Sequence, residues 1–159
     1  VPYAAQIHGG TGAVGWLLAA IPVGSIIGMV WLKNVRPDLR LRLMAPLAIV
    51  TCVVLVPTAW APALVVSVVL WALSGLASAH DMVVQGAFVQ RVPDASRGQA
   101  IGLAGAAMQA AQGLGIVAGG LLAQALTPAV VIGLAGAAGA IAAIVAATAW
   151  ARAAPAVPS

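Results

Sequence analysis

Five long apolar blocks, separated by short polar joints, constrain this chain more than any motif does. Val14–Leu32, Leu43–Trp60, Ala63–Val89, Ala100–Leu126 and Ala129–Trp150 each have spanning length, since roughly 20 apolar residues cross the hydrocarbon core as a helix. None shows the in-out alternation of a membrane barrel strand, so helices must satisfy the backbone N–H and C=O groups in lipid. A mean hydropathy of +1.09 and a hydrophobic content of 63% leave too little polar surface for a soluble domain. The expected fold is therefore all-α, a polytopic transmembrane helical bundle with about five spanning helices. Pro22 lies inside the first block and is expected to kink it beside Gly24. Pro46, Pro62 and Pro128 sit near expected helix starts, where a missing N–H costs little.

The cations orient the bundle. Lys33, Arg36, Arg40 and Arg42 follow the first block, Arg91 and Arg97 the third, and Arg152 the fifth. The opposite joints carry no Lys or Arg, so all 7 cations fall on one side, which the positive-inside rule makes cytoplasmic. The net charge of +4 expresses this asymmetry and is no argument for nucleic-acid binding, which needs a basic patch on a soluble face. Trp16 and Trp60 fall at the outer edge, Trp31 and Trp150 at the inner one, as an aromatic belt places them. The N-terminus is then outside and the C-terminus cytoplasmic, with the bacterial plasma membrane as the expected location. Residues 1–13 read as an outer stump and loop, 14–150 as the five-span bundle, and 151–159 as a short cytoplasmic tail. The opening "VPYAAQI" looks like the end of a further span, so the chain is expected to be a fragment of something larger.

Polar residues inside the blocks are the functional candidates. Ser67, Trp71, Ser74, Ser78, Asp81 and Gln85 form one stripe of the third block, because residues three and four apart share a helix face. Asp81 lies about 12 Å from the inner helix end, close to the midplane of a ~30 Å core. An aspartate there costs about 2.5–3.5 kcal/mol on insertion scales, so it should face a bundle interior or a wet cavity. In the fourth block Gly102, Gly105, Gln109 and Gln112 share a stripe. The expectation is a cavity lined by Asp81, Gln85, Gln109 and Gln112. Against it stands the plainer reading, in which Gln and Ser only hydrogen-bond neighbouring helices for about 0.6–2 kcal/mol each. His80 is turned about 100° from Asp81 and either joins the path or bonds a nearby carbonyl. Gly24 and Gly28, Gly115 and Gly119, and the series Gly133, Gly136 and Gly139 are read as packing positions that let backbones approach closely.

Other chemistries find little support. His8 and His80 are the only histidines, too few and too far apart for a metal cage. Cys52 is the single cysteine, and no phosphate-binding loop or nucleotide fingerprint appears, so no cofactor is expected. "SGLASAHD" holds Ser74, Ser78, His80 and Asp81 within two turns, which raises an intramembrane hydrolase. Ser78 and His80, two apart, point to different sides of the helix, whereas a nucleophile and its base need contact at about 3 Å. The chain is not expected to be an enzyme.

The stretch "FVQRVPDASRGQAIGLAGAAMQAAQGLGIVAGGLLAQAL" resembles the second half of an efflux-like member of the major facilitator superfamily. The match rests on Val92, Pro93, Asp94, Arg97 and Gly98 in the inner loop, and on the glycine run Gly113, Gly115, Gly119 and Gly120. "PVGSIIG" (Pro22–Gly28) with its basic loop looks like span eight, so nearly the whole chain corresponds to the end of span seven through span twelve. One departure stands out: Leu32 occupies the position of the family's loop aspartate, and a charge-relay gate is not carried over. Pro93, Asp94, Arg97 and Gly98 are expected to lock inner helix ends, with Asp94 capping or approaching the N-terminus of the fourth span. The resemblance implies half of a secondary transporter, a proton-coupled exporter of small organic molecules working by alternating access. Its implied partners are the lipid bilayer, a small-molecule substrate and a missing N-terminal six-helix half. The competing reading is a truncated, non-transporting membrane fragment, or a partner subunit that only packs with another chain.

Overall fold

The structure, a computed structural model, describes residues 2–6, 11–60 and 63–153. His8 lies outside them, as do Pro62 and the tail beyond residue 153. Among the described residues seven α-helices run in the order α1 Pro2–Gln6, α2 Thr11–Lys33, α3 Pro37–Val53, α4 Leu64–Ser78, α5 His80–Arg91, α6 Arg97–Ala125 and α7 Pro128–Ala153. Among the described residues there is no strand, and five helical stretches are long and apolar enough to cross a membrane. They are Gly12–Lys33, Pro37–Trp60, Leu64–Gln90, Asp94–Ala125 and Pro128–Ala149.

Local sequence explains most of the boundaries. The second span starts at Pro37, not at Leu43 as expected. Proline at the first helical position loses no hydrogen bond and arrives with its φ preset. Pro46 consequently lies inside α3 instead of at its start. That helix ends at Val53, four residues before Pro57, whose ring clashes with the carbonyl of residue i−4. The chain tightens there into a 3₁₀ turn over Val56–Trp60, which Thr58 Oγ1 supports by donating to the Leu55 carbonyl. Helix α2 runs through Pro22 without interruption. The largest departure is in the third span, which is two helices, α4 and α5, meeting at Ala79.

The core is built on α2 crossing α4 and α7 lying along α3. A Cβ added at Gly24 would overlap the Ala72 carbonyl, and one at Gly75 would overlap that of Ile21. Glycine on both helices therefore brings the two backbones into direct contact, the only route to tight packing where lipid supplies no hydrophobic drive. On α7, Gly136 faces the Cys52 carbonyl, 2.8 Å from where its Cβ would stand, and Gly139 faces the Cys52 sulfur at the same distance. Serines add hydrogen bonds to these contacts. Ser74 Oγ donates to the Thr51 carbonyl at 2.8 Å, joining α4 to α3. Ser25 Oγ lies 3.0 Å from the Gly75 carbonyl and 3.1 Å from Ser78 Oγ, joining α2 to α4.

At the other end of the bundle, α1 fits between α2 and α7. Tyr3 is 2% exposed, stacks on Trp71 with ring centroids 5.8 Å apart, and shares a 2.8 Å hydrogen bond with the buried Ser67. Gln6 Oε1 accepts the Ala129 N–H at 3.0 Å, satisfying one of the free donors at the start of α7. The opening segment is thus an integrated part of this core. By contrast, α6 buries no residue and touches chiefly α7.

Candidate functional site

The break in the third span places its two ionisable residues side by side. Ala79 closes a tight turn, its N–H bonding the Leu76 carbonyl three residues back at 3.3 Å. His80 Nδ1 lies 2.8 Å from the Ala77 carbonyl. A side chain that takes up a backbone carbonyl interrupts the i→i−4 ladder, and this contact accounts for the junction between α4 and α5. His80 is 12% exposed in its side chain and Asp81 66%. Asp81 stands in the first turn of α5.

The proton arithmetic of this pair follows from donor and acceptor rules. A carbonyl only accepts, so Nδ1 carries a hydrogen toward Ala77. In a neutral ring Nε2 is then an acceptor. It faces Asp81 Oδ1 at 3.3 Å. Neutral imidazole and ionised carboxylate would set two acceptors against each other, and the contact becomes favourable when one proton resides on either partner.

The remaining candidates spread over several surfaces. Gln85 follows Asp81 by one turn and is likewise exposed. Gln109 and Gln112 are exposed on α6, which lies along α7, whereas α5 lies along α3. Within this chain the four residues do not enclose the expected cavity, because their helices pack on different neighbours. The expected polar stripe divides at the break: Ser67 and Ser74 are buried on α4, whereas Asp81 and Gln85 are exposed on α5. Gly28 meets α4, its would-be Cβ 2.9 Å from the Ala79 Cβ. Gly115 has nothing within 4 Å, and Gly119 reaches only Val131, at 4.0 Å.

In the loop between α5 and α6, Pro93 adopts an extended ψ of 143° and starts a short 3₁₀ turn over Asp94–Ser96. Asp94 makes no cap on α6. Ser96 occupies the cap position without a side-chain cap bond, and the Asp94 carboxylate pairs instead with Arg97 Nη2 at 2.5 Å. A carboxylate one turn before a guanidinium gains more from that bond than from a lone N–H. Arg97 Nη2 also donates to the Val92 carbonyl at 3.2 Å, binding the loop to its own start. Gly98 has open space around it.

Three polar positions take contacts that the sequence reading did not assign. Ser25 bridges α2 and α4, and its adjacency to Gly24 in a close-packing face was the available signal. Arg40 folds back to donate Nε to the Val35 carbonyl and Nη2 to the Lys33 carbonyl, both at 2.7 Å, pinning the loop between α2 and α3. Trp71 Nε1 is buried without a hydrogen-bond partner despite its stacking on Tyr3. Helical periodicity placed Trp71 on its stripe but names no partner for either of the last two.

No curated protein and no solved structure matches the chain. The family model described as Major Facilitator Superfamily matches residues 1–159. With spanning helices of the right length and the inner-loop and glycine motifs in order, this chain belongs to the Major Facilitator Superfamily of membrane transport proteins.

Proposed function

We propose that the chain forms one half of a proton-coupled exporter of small organic molecules that works by alternating access, with the His80–Asp81 pair as its proton site. The observation that carries this reading is the pair itself, 3.3 Å apart at an interruption of a membrane-spanning helix. Broken helices near the midplane are where secondary transporters hold substrates and coupling ions. An acid at that depth costs about 2.5–3.5 kcal/mol unless water or protein covers it. Asp81 is 66% exposed on this bundle, so the reading requires a wet path or a second helical half over that face. Gln85, Gln109 and Gln112 line the path on the same view, each offering donors and acceptors to a polar substrate. Pro93, Asp94, Arg97 and Gly98 hold the cytoplasmic gate. The N-terminus faces outward and the basic loops face the cytoplasm of a bacterial cell.

The test is Asp81→Asn in the complete protein. The amide cannot exchange a proton, so transport driven by a pH gradient should be lost while substrate binding persists. His80→Gln should keep binding and alter the pH dependence of transport. Unchanged rate and unchanged pH dependence in Asp81→Asn would remove the pair from the mechanism.

A further inference from the structure

A groove of about 500 Å³ opens between the inner end of α2, the start of α3 and the length of α5. Its mouth carries Lys33, Arg40 and Gln90, and its walls are apolar, with Met29, Leu32 and Met82. From Gln90 back to Ala79, which closes its deep end, the groove runs about 16 Å at 1.5 Å per residue. One leaflet of a ~30 Å hydrocarbon core is about 15 Å deep. The groove thus has the depth of a single leaflet, cationic at the headgroup level and apolar below it.

Its two cations make no ion pair. Among the described residues the ion pairs are His80 with Asp81 and Arg97 with Asp94, so neither Lys33 nor Arg40 has an acidic partner. The Arg40 guanidinium is held in place by the Lys33 and Val35 carbonyls, and its charge stays fixed at the mouth. Lys33 is exposed beside it. A free inorganic anion would use the mouth and leave the apolar walls empty. A neutral lipid would use the walls and leave the cations unpaired.

We propose that this groove is a binding site for one anionic phospholipid of the leaflet on the basic side, with its headgroup phosphate on Lys33 and Arg40 and an acyl chain lying along Met29, Leu32 and Met82. Fixed basic positions between membrane helices recognise anionic headgroups by charge, and the apolar trough adds chain burial that a surface patch lacks. The site is separate from the proton pair and stands without it.

The test is native mass spectrometry of the full-length protein in mild detergent. Phosphatidylglycerol and phosphatidylcholine of identical acyl chains are titrated in turn, with glycerol phosphate as the headgroup alone. One phosphatidylglycerol should be retained in preference to phosphatidylcholine. Lys33→Gln should weaken that retention about five-fold, the share of one basic contact. Met82→Trp, which fills the trough, should weaken it without changing any charge. Lys33→Arg should retain the lipid, and Arg152→Gln, on the basic side but outside the groove, should leave retention unchanged. Equal retention of both lipids, or an unaffected Lys33→Gln variant, would overturn the proposal. Competition by glycerol phosphate as effective as the whole lipid would reduce the groove to a simple anion site and overturn it too. Retention of neither lipid would mean that protein fills the groove, with the same result.

Discussion

The crossing of α2 and α4 offers the sharpest quantitative test of how this bundle is held. A methyl group added at Gly28 would overlap the Leu76 carbonyl oxygen and stand 2.9 Å from the Ala79 Cβ. Ordinary carbon contacts are about 3.5–4.0 Å, so the two helices would have to part by roughly 1 Å. A gap of that size forfeits about a quarter to a half of the dispersion attraction of each atom pair it opens. Overpacking of this kind costs about 1–3 kcal/mol. The better helix propensity of alanine returns at most about 1 kcal/mol. Gly28→Ala should therefore lower stability by up to about 2 kcal/mol net. Gly15 lies on the same helix with nothing within 4 Å of its would-be Cβ. Gly15→Ala carries the same propensity gain without the clash and should be neutral or slightly stabilising. Thermal unfolding in detergent micelles reads both, followed by a thiol-reactive fluorophore on Cys52, the single cysteine. If Gly28→Ala melts at or above Gly15→Ala, close backbone approach is not what holds this crossing.

Three further outcomes follow from the polar contacts. Ser74→Ala removes the hydroxyl bond to the Thr51 carbonyl and should cost about 0.6–1.7 kcal/mol in the same melting assay. Ser96→Ala should be near neutral, because that exposed hydroxyl reaches Pro93 only at 3.5 Å. Arg97→Gln breaks a partly exposed ion pair and should change stability by less than about 1 kcal/mol. If the loop acts as a gate, the same variant in the complete protein should slow transport with little change in melting temperature; unchanged transport would make the pair merely structural.

Much of this architecture was legible before any coordinate. The apolar blocks located all five spans to within a few residues at most ends, since burying backbone in lipid demands a helix whatever its neighbours. The second span was misjudged at its start because Leu39 and Leu41 alternate with Arg40 and Arg42, which obscures helical continuity. Pro37 was the better signal. The division of the third span was invisible for a different reason. Nothing in "SGLASAHD" lowers helix propensity enough to break it, and the junction depends on where the His80 ring finds its carbonyl. Asp94 was read as capping or approaching the fourth span; it lies in the turn before α6, and its carboxylate pairs with Arg97 and not with a cap N–H.

From sequence alone came the number of spans, the grouping of every cation on one side, the family motifs and the candidacy of Asp81. Each rests on transfer from water to lipid or on residue order, which need no knowledge of neighbours. Tertiary structure decided which glycines matter within this chain: Gly24, Gly28 and Gly75 bear directly on a facing helix, whereas Gly115 meets open space. It also kept Gln109 and Gln112, on α6, away from Asp81 and Gln85 on α5. A helix face lists the residues that share a direction, but the partner in that direction is fixed by how helices from distant parts of the chain pack together.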